Sequence, residues 1–327
     1  MATTKTGAAP IAPPEPKTLT LTPSGIEIAY FVEDKKAGVK RGYSLRRVGA
    51  DEAEGIDHLD PFVEVPSVTT VLGCLDKPAL PWWGMKIGAI GILELWNTGH
   101  VVQGEDGSLL VNVNATWQYA TEETLLEALK FNKLTVNHVL SSAGTRGQSA
   151  HDAFEAWAGL RLLPNPDDYP PEEHGYIVGL RAFCEDMGDA WETGGQEIAV
   201  GSVEHGFAGR YDLRGRVTKS VRLIAKALTQ KGEPLVKGPK YTTIPAGTKG
   251  LVDLKTSKGI YPTHLMQLEA YEGGGVECGY EPTDWRAVLH VTASGHYEFK
   301  QAKATYDDFL AVLRTYKALE GVKEALK

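Results

Sequence analysis

The chain has 327 residues, 42% of them apolar and 23% charged, with a formal net charge of −8. This is an ordinary globular composition, long enough for one large domain or two modest ones and able to bury a full core. It excludes a helical membrane span, because the longest apolar stretch, Ile87 to Leu93, is closed by Glu94 far short of the ~20 residues a bilayer requires.

The N-terminal MATTKTGAAPIAPPEPK has no apolar segment of the kind a secretory signal needs. Cys74, Cys184 and Cys278 are far apart, which suits a reducing cytoplasm and cannot supply a four-cysteine cluster. The charge is uneven. From Arg214 to Lys249 nine basic residues face only Glu233, a local +8 that leaves −16 on the rest of the chain. Such a segment can bind phosphates on an acidic body, since salt limits the reach of each charge to roughly 10 Å.

Residues 1–24 are rich in Pro, Ala and Thr and are expected to form a disordered tail. IEIAYFVE and GYSLRRVG read as a strand pair around DKKAG. PSVTTVLGCLDKPALPWWGMKIGAIGILELW reads as a loop leading into an apolar helix from about Pro81, with Trp82 and Trp83 expected in the core. VVQGEDGSLLVNVN reads as a hairpin turning at Glu105-Asp106-Gly107, and a helix is expected to start near Thr121 with Glu122 and Glu123 in its first turn. Asn132 to Leu160 reads as mainly helical, loosened by Gly144 and Gly147, and a further helix covers about Glu172 to Glu192.

The period then changes. QEIAVGSV, FAGRYDLRG and GLVDLKT are strand-like runs, the last two separated by the basic segment. Within that segment SVRLIAKALTQKG suggests a short helix anchored by Val221, Ile224 and Leu228. A helix from about Tyr261 to Gly273, the strands WRAVLHVT and HYEFKQ, and an amphipathic helix from about Thr305 complete the chain. The order describes a mixed α/β core with helices packed on a central sheet. The expected division is a tail at 1–24, an N-terminal β-hairpin and helical extension at 25–120, and a core at 121–327 carrying a basic insertion at 214–249.

Side chains alternate across a strand, so Asp253 and Lys255 point to one face while Val252 and Leu254 point to the other. If the strand ending near Asp212 pairs with this one, two carboxylates meet, a costly arrangement unless a cation sits between them. Mg²⁺ and Mn²⁺ take such oxygen ligands. His151 lies on a helix whose small residues permit close approach to the sheet. Gln267 and Tyr271 are one helical turn apart and share a face. No G-x-S-x-G elbow and no G-x-x-x-x-G-K-[ST] loop occurs, which argues against a serine hydrolase and against an ATP-driven motor.

Taken in order, Gly147 to His151, Gly209 to Asp212, Asp253-Leu254-Lys255 and Gln267 to Tyr271 resemble the motifs of the PD-(D/E)xK nuclease superfamily. The resemblance is strongest to the RecB-like branch, with its phage-type and CRISPR-associated exonucleases, and runs from about Pro66 to the C-terminus. It implies a restriction-endonuclease-like core and a metal-dependent deoxyribonuclease, an exonuclease of phage-type DNA recombination, repair or replication. In that reading Asp212 and Asp253 hold Mg²⁺ or Mn²⁺, helped by His151 and the carbonyl of Leu254. Lys255 orients the attacking water and stabilises charge on the phosphoryl oxygens, and Gln267 and Tyr271 support the catalytic set and the DNA backbone. Glu197, at the head of the strand before Asp212, is either a further acid or ligand beside the metal or an exposed strand-end carboxylate. No iron–sulfur cluster and no nucleotide cofactor is expected. DNA is the expected partner, reached through Lys226, Lys231, Lys237 and Lys240 on a basic segment that should emerge beside the metal. A phage or host recombination or replication protein is a candidate second partner. The alternative is a catalytically idle nuclease fold that binds DNA or serves assembly.

Overall fold

The computed structural model describes residues 16–32, 42–51, 56–59, 61–75, 79–229 and 232–326. Thr18–Leu21 (β1), Ile26–Phe31 (β2), Gly42–Asp51 (β3), Ile56–Leu59 (β4) and Val63–Val65 (β5) make one antiparallel sheet in the order β1-β2-β3-β4, with β5 also on β3. The expected tail therefore ends earlier than residue 24: Thr18 to Leu21 pair with Tyr30 to Glu27, and the segment before residue 16 lies outside the described residues. Alternation in β2 buries Ile26 and Ile28 against the rest of the molecule.

Val68–Leu72 (α1) follows, capped by the Ser67 hydroxyl, which accepts from Thr70 N at 3.0 Å. Ala79–Asn97 (α2) then leads into the meander Val101–Gln103 (β6), Leu109–Val113 (β7) and Thr116–Tyr119 (β8), and Glu122–Phe131 (α3) begins at the Thr121 cap. Trp82 is not in the core. It is 74% exposed, because the buried seam of α2 is a narrow one centred on Leu95.

Val136–Leu160 (α4) is one continuous helix, and Gly144 and Gly147 do not interrupt it. Two interior glycines cost about 1 kcal/mol each against alanine. Burial of Ala150, Ala153, Phe154 and Trp157 on the main sheet outweighs that cost. His174–Met187 (α5) packs beside α4.

The main sheet contains Trp191–Ser202 (β9), Phe207–Val217 (β10), Lys249–Lys255 (β13), Trp285–Val291 (β14) and Tyr297–Gln301 (β15). Between β10 and β13 the chain forms a separate hairpin of Val221–Lys226 (β11) and Lys240–Ile244 (β12). The sheet order is β15-β14-β13-β10-β9. Only β13 and β14 run parallel, and Pro262–Glu277 (α6) makes the crossover between them. Tyr306–Ala325 (α7) closes the fold from its Thr305 cap. The architecture is thus mixed α/β, with several sheets that are mostly antiparallel.

Helices cover both faces of the main sheet. Val252, Leu254, Leu289 and Phe299 pack with α4 and α5 on one side. Leu251, Val288 and Tyr211 pack with α1, α6, α7 and the N-terminal sheet on the other. No helix among the described residues is long and apolar enough to cross a membrane.

The stretch expected as a short basic helix is β11 instead. Val221 and Leu223 are buried while Arg222 is exposed, a period of two that the wider spacing of Val221, Ile224 and Leu228 obscures. The insertion also leaves from the wrong end of the sheet for the expected role. It departs after Val217 and returns at Lys249, whereas Asp212 and Asp253 lie about four to five residues away along their strands, roughly 15 Å at the usual rise. Several of its charges are already matched: Arg214 pairs with Glu272, Lys219 with Asp189 and Lys249 with Glu281.

Candidate metal and phosphate site

Asp212 sits in the middle of β10 and Glu197 in the middle of β9, not at strand ends. Tyr211 pairs with Ile198 and Leu213 with Gln196, so Asp212 and Glu197 face each other across the two strands. Glu197 adopts φ 50°, a left-handed conformation that a non-glycine residue rarely holds within a strand. Tyr211 and Leu213, which simple alternation would place together, enter opposite core clusters. Both strands are therefore distorted where the acids meet.

On the other side of β10 the ladder with β13 runs from Arg216–Lys249 to Leu213–Val252. Beyond it, Leu254 N donates to Asp212 Oδ2 at 2.6 Å, so a carboxylate takes the place of a strand carbonyl. Asp253, 1% exposed, forms an ion pair with Lys255 Nζ. His151 reaches the group from α4, its Nδ1 3.3 Å from Asp212 Oδ1. Glu197 in turn pairs with Arg210 at 2.6 Å.

Two glycines allow this convergence. A Cβ on Gly209 would lie 2.5 Å from the Tyr271 ring, so that ring can cross β10 beside Asp212 only over a glycine. A Cβ on Gly147 would stand 3.3 Å from Thr256 Oγ1, the crossing point of α4 over the end of β13. Gln267 and Tyr271 lie on the same buried face of α6, and the Gln267 amide donates to the Tyr271 hydroxyl at 2.5 Å.

The electrostatics follow from packing so many ionisable groups together. Burial alone would raise Asp212, yet His151, Lys255 and the Leu254 N–H hold it below the usual carboxylate range. Asp253 is pushed up to about 6 by burial, with Lys255 opposing and Asp212 adding to the shift. Burial also pushes Glu197 up to about 7, and repulsion from Asp212 contributes. For His151 and Lys255 burial works against the charged form, but the neighbouring aspartates overcome it and both are raised.

One oxygen or nitrogen from each of His151, Glu197 and Asp212 lies within 4.8 Å of the others. This donor set, one imidazole and two carboxylates, suits Mg²⁺ or Mn²⁺. Burial and the neighbouring Asp212 disfavour the charged Glu197 carboxylate despite Arg210, and a cation between the two acids would offset that repulsion. Asp253 stands next to that set but is turned to Lys255. The Leu254 side chain is part of the apolar core.

His151, Glu197, Asp212, Asp253, Lys255 and the Gln267–Tyr271 pair line a cleft of about 930 Å³. Its outer wall comes from the N-terminal extension, including Tyr30, Tyr43, Ser67 and Thr70, with Tyr316 of α7. That wall, and Arg210, were not found by motif reading. The only signal for it was the PSVTTVLG stretch, which is anchored beside the site because Ala208 N donates to Pro66 O at 3.1 Å. Lys226, Lys237 and Lys240 do not line the cleft; Lys231 lies outside the described residues. Compared with known proteins, the chain matches no family model and no curated protein.

Proposed function

We propose that this chain is a divalent-metal-dependent deoxyribonuclease of the PD-(D/E)xK superfamily, in its RecB-like branch. Its restriction-endonuclease-like core is the sheet of β9, β10, β13, β14 and β15 with α4 to α7. The observation that carries the reading is the convergence of Asp212, Asp253, Lys255, His151 and Glu197 on one cleft from four different elements. Motifs spread over about a hundred residues of sequence meet there in the order the resemblance requires.

His151, Glu197, Asp212 and Asp253 are the residues that would hold Mg²⁺ or Mn²⁺. Such an ion would polarise the scissile phosphate and lower the pKa of a bound water. Lys255 keeps its proton because both aspartates face it, and it donates to a phosphoryl oxygen where charge develops. The Gln267–Tyr271 pair fixes the cleft floor, and Tyr30 and Tyr43 offer ring faces to bases on the far wall. The Lys226, Lys237 and Lys240 hairpin contacts DNA away from the reacting phosphate. The enzyme works in the cytoplasm, or in the host cytoplasm if phage-encoded, on DNA of recombination, repair or replication.

The test is digestion of end-labelled linear DNA beside closed circular DNA of the same sequence, with Mn²⁺, Mg²⁺ or EDTA. Metal-dependent release of nucleotides from the linear form supports an exonuclease. No cleavage of either form with any divalent metal rejects the reading.

A further inference from the structure

A second, smaller opening lies behind the metal site. It measures about 270 Å³ and shares His151 and Lys255 with the main cleft. Arg146, Tyr176, Thr256 and Ser257 complete its polar lining. Where the main cleft is lined by five carboxylate side chains, this pocket is lined by none.

Arg146 is the informative residue. It is half-buried on α4, and no described carboxylate pairs with it. The Gly147 crossing explains its position. Gly147 of α4 comes against Thr256, the residue that follows β13, and beside that contact Arg146 lines the small pocket while His151 lines both openings. Ser257 Oγ donates to Gly259 O at 2.8 Å and the Lys255 ammonium is held by Asp253, which leaves the Arg146 guanidinium with the Thr256 and Tyr176 hydroxyls as the donor groups of the lining. A guanidinium fork that no described carboxylate pairs with, in a pocket lined also by hydroxyls and free of carboxylates, offers the donor chemistry that a phosphate takes.

We propose that this pocket is a phosphate subsite, holding the phosphate next to the one at the metal site and so fixing the register of the strand. It rests on the nuclease reading for the identity of the strand. Its chemistry is that of a phosphate group, whether the monoester at a strand end or a diester within it.

The experiment measures binding without metal, in EDTA, by fluorescence anisotropy of three internally labelled single-stranded oligonucleotides. One carries a 5′-phosphate, one a 3′-phosphate, and one hydroxyls at both ends. Arg146→Gln, at a position with no partner to strand, should weaken binding about tenfold where the pocket is filled, as expected for removing one charge-assisted hydrogen bond. Loss confined to one phosphorylated oligonucleotide assigns the pocket to that terminal monoester, and equal loss across all three assigns it to an internal diester. Unchanged affinity for all three, or no binding of any by the wild-type protein, overturns the proposal. Calorimetric Mn²⁺ binding by Arg146→Gln should equal that of the wild type. If the nuclease reading alone fails, the wild type shows no metal-dependent cleavage while the result in EDTA stands.

Discussion

Glu197 faces Asp212 across β9 and β10 with its backbone in the left-handed region, and the two carboxylates approach the same His151 ring. A non-glycine residue in that conformation costs on the order of 1–3 kcal/mol and persists only where its surroundings impose it. Here the imposed geometry brings a second carboxylate into reach of the first. Glu197→Gln should therefore weaken Mn²⁺ binding by roughly tenfold or more, measured by calorimetric titration. Affinity equal to wild type would remove Glu197 from the ligand set.

The same carboxylate sets a pH dependence. Its ordinary value is 4.5 and burial raises it to about 7 in the folded chain, so the folded state holds a proton that the unfolded state has lost. Stability contributed by the protonated form is present at low pH and declines as pH rises from about 4.5 to 7. Asp253, raised from 3.8 to about 6, acts in the same direction. In EDTA the melting temperature should fall between pH 5 and pH 8, and Glu197→Gln and Asp253→Asn should each flatten that fall. Added Mn²⁺ should restore stability at pH 8. An unchanged slope in both variants would contradict the assignment.

Lys255→Ala should reduce DNA cleavage at least a hundredfold while leaving Mn²⁺ binding within a few-fold of wild type, since the ammonium meets Asp253 and acts on the phosphate. It should also destabilise the fold by about 3 kcal/mol, because Asp253 is left buried and unpaired. Combining Lys255→Met with Asp253→Asn should recover most of that stability without recovering activity. A single variant as stable as wild type would show that the ion pair is not buried as described.

Away from the cleft, Arg214 and Glu272 form a buried pair at 3.6 Å, and Glu272 also accepts from Thr283 N at 2.6 Å. Glu272→Ala strands the Arg214 charge and should cost about 3–5 kcal/mol, measured by urea unfolding. A loss under 1 kcal/mol would mean that water reaches the pair.

The hairpin lysines make a prediction that depends on length. Lys226, Lys237 and Lys240 are exposed on the insertion, whose two ends lie roughly 15 Å along the strands from Asp212 and Asp253. Changing all three to Gln should leave binding and cleavage of very short oligonucleotides unaltered. Affinity for longer DNA should weaken, with the log–log salt slope reduced by about 0.7 for each single-strand phosphate that is no longer neutralised. Identical affinity and slope at every length would make the hairpin a solvated surface.

Much of this site was legible from spacing. Asp253 and Lys255 share a face because β13 alternates, and Gln267 bonds to Tyr271 because they are one helical turn apart. The pairing of β10 with β13, which brings Asp212 to Asp253, is conditional in the residue pattern and implied only by the family resemblance. What could not be read was set by long-range packing. Glu197 is expected beside the ligands from a strand end, but it enters the cluster from the middle of β9 through a left-handed backbone that no local pattern announces. The cleft wall of Tyr30 and Tyr43 depends on how the N-terminal sheet docks onto β10. The charge of the insertion misled for the same reason: three of its basic residues find acids elsewhere in the chain, and a strand alternation in VRLIAK coincides with a helical spacing.

The most direct test of the central claim compares three proteins on one substrate. Release of acid-soluble nucleotides from uniformly labelled linear DNA is followed with Mn²⁺ for the wild type, Asp212→Asn and Lys255→Ala, each shown to be folded by circular dichroism. The account predicts rapid release by the wild type, none in EDTA, and at least a hundredfold less from either variant. Release by Asp212→Asn and Lys255→Ala at the wild-type rate, or no release by the wild type with Mn²⁺ or Mg²⁺, would contradict it.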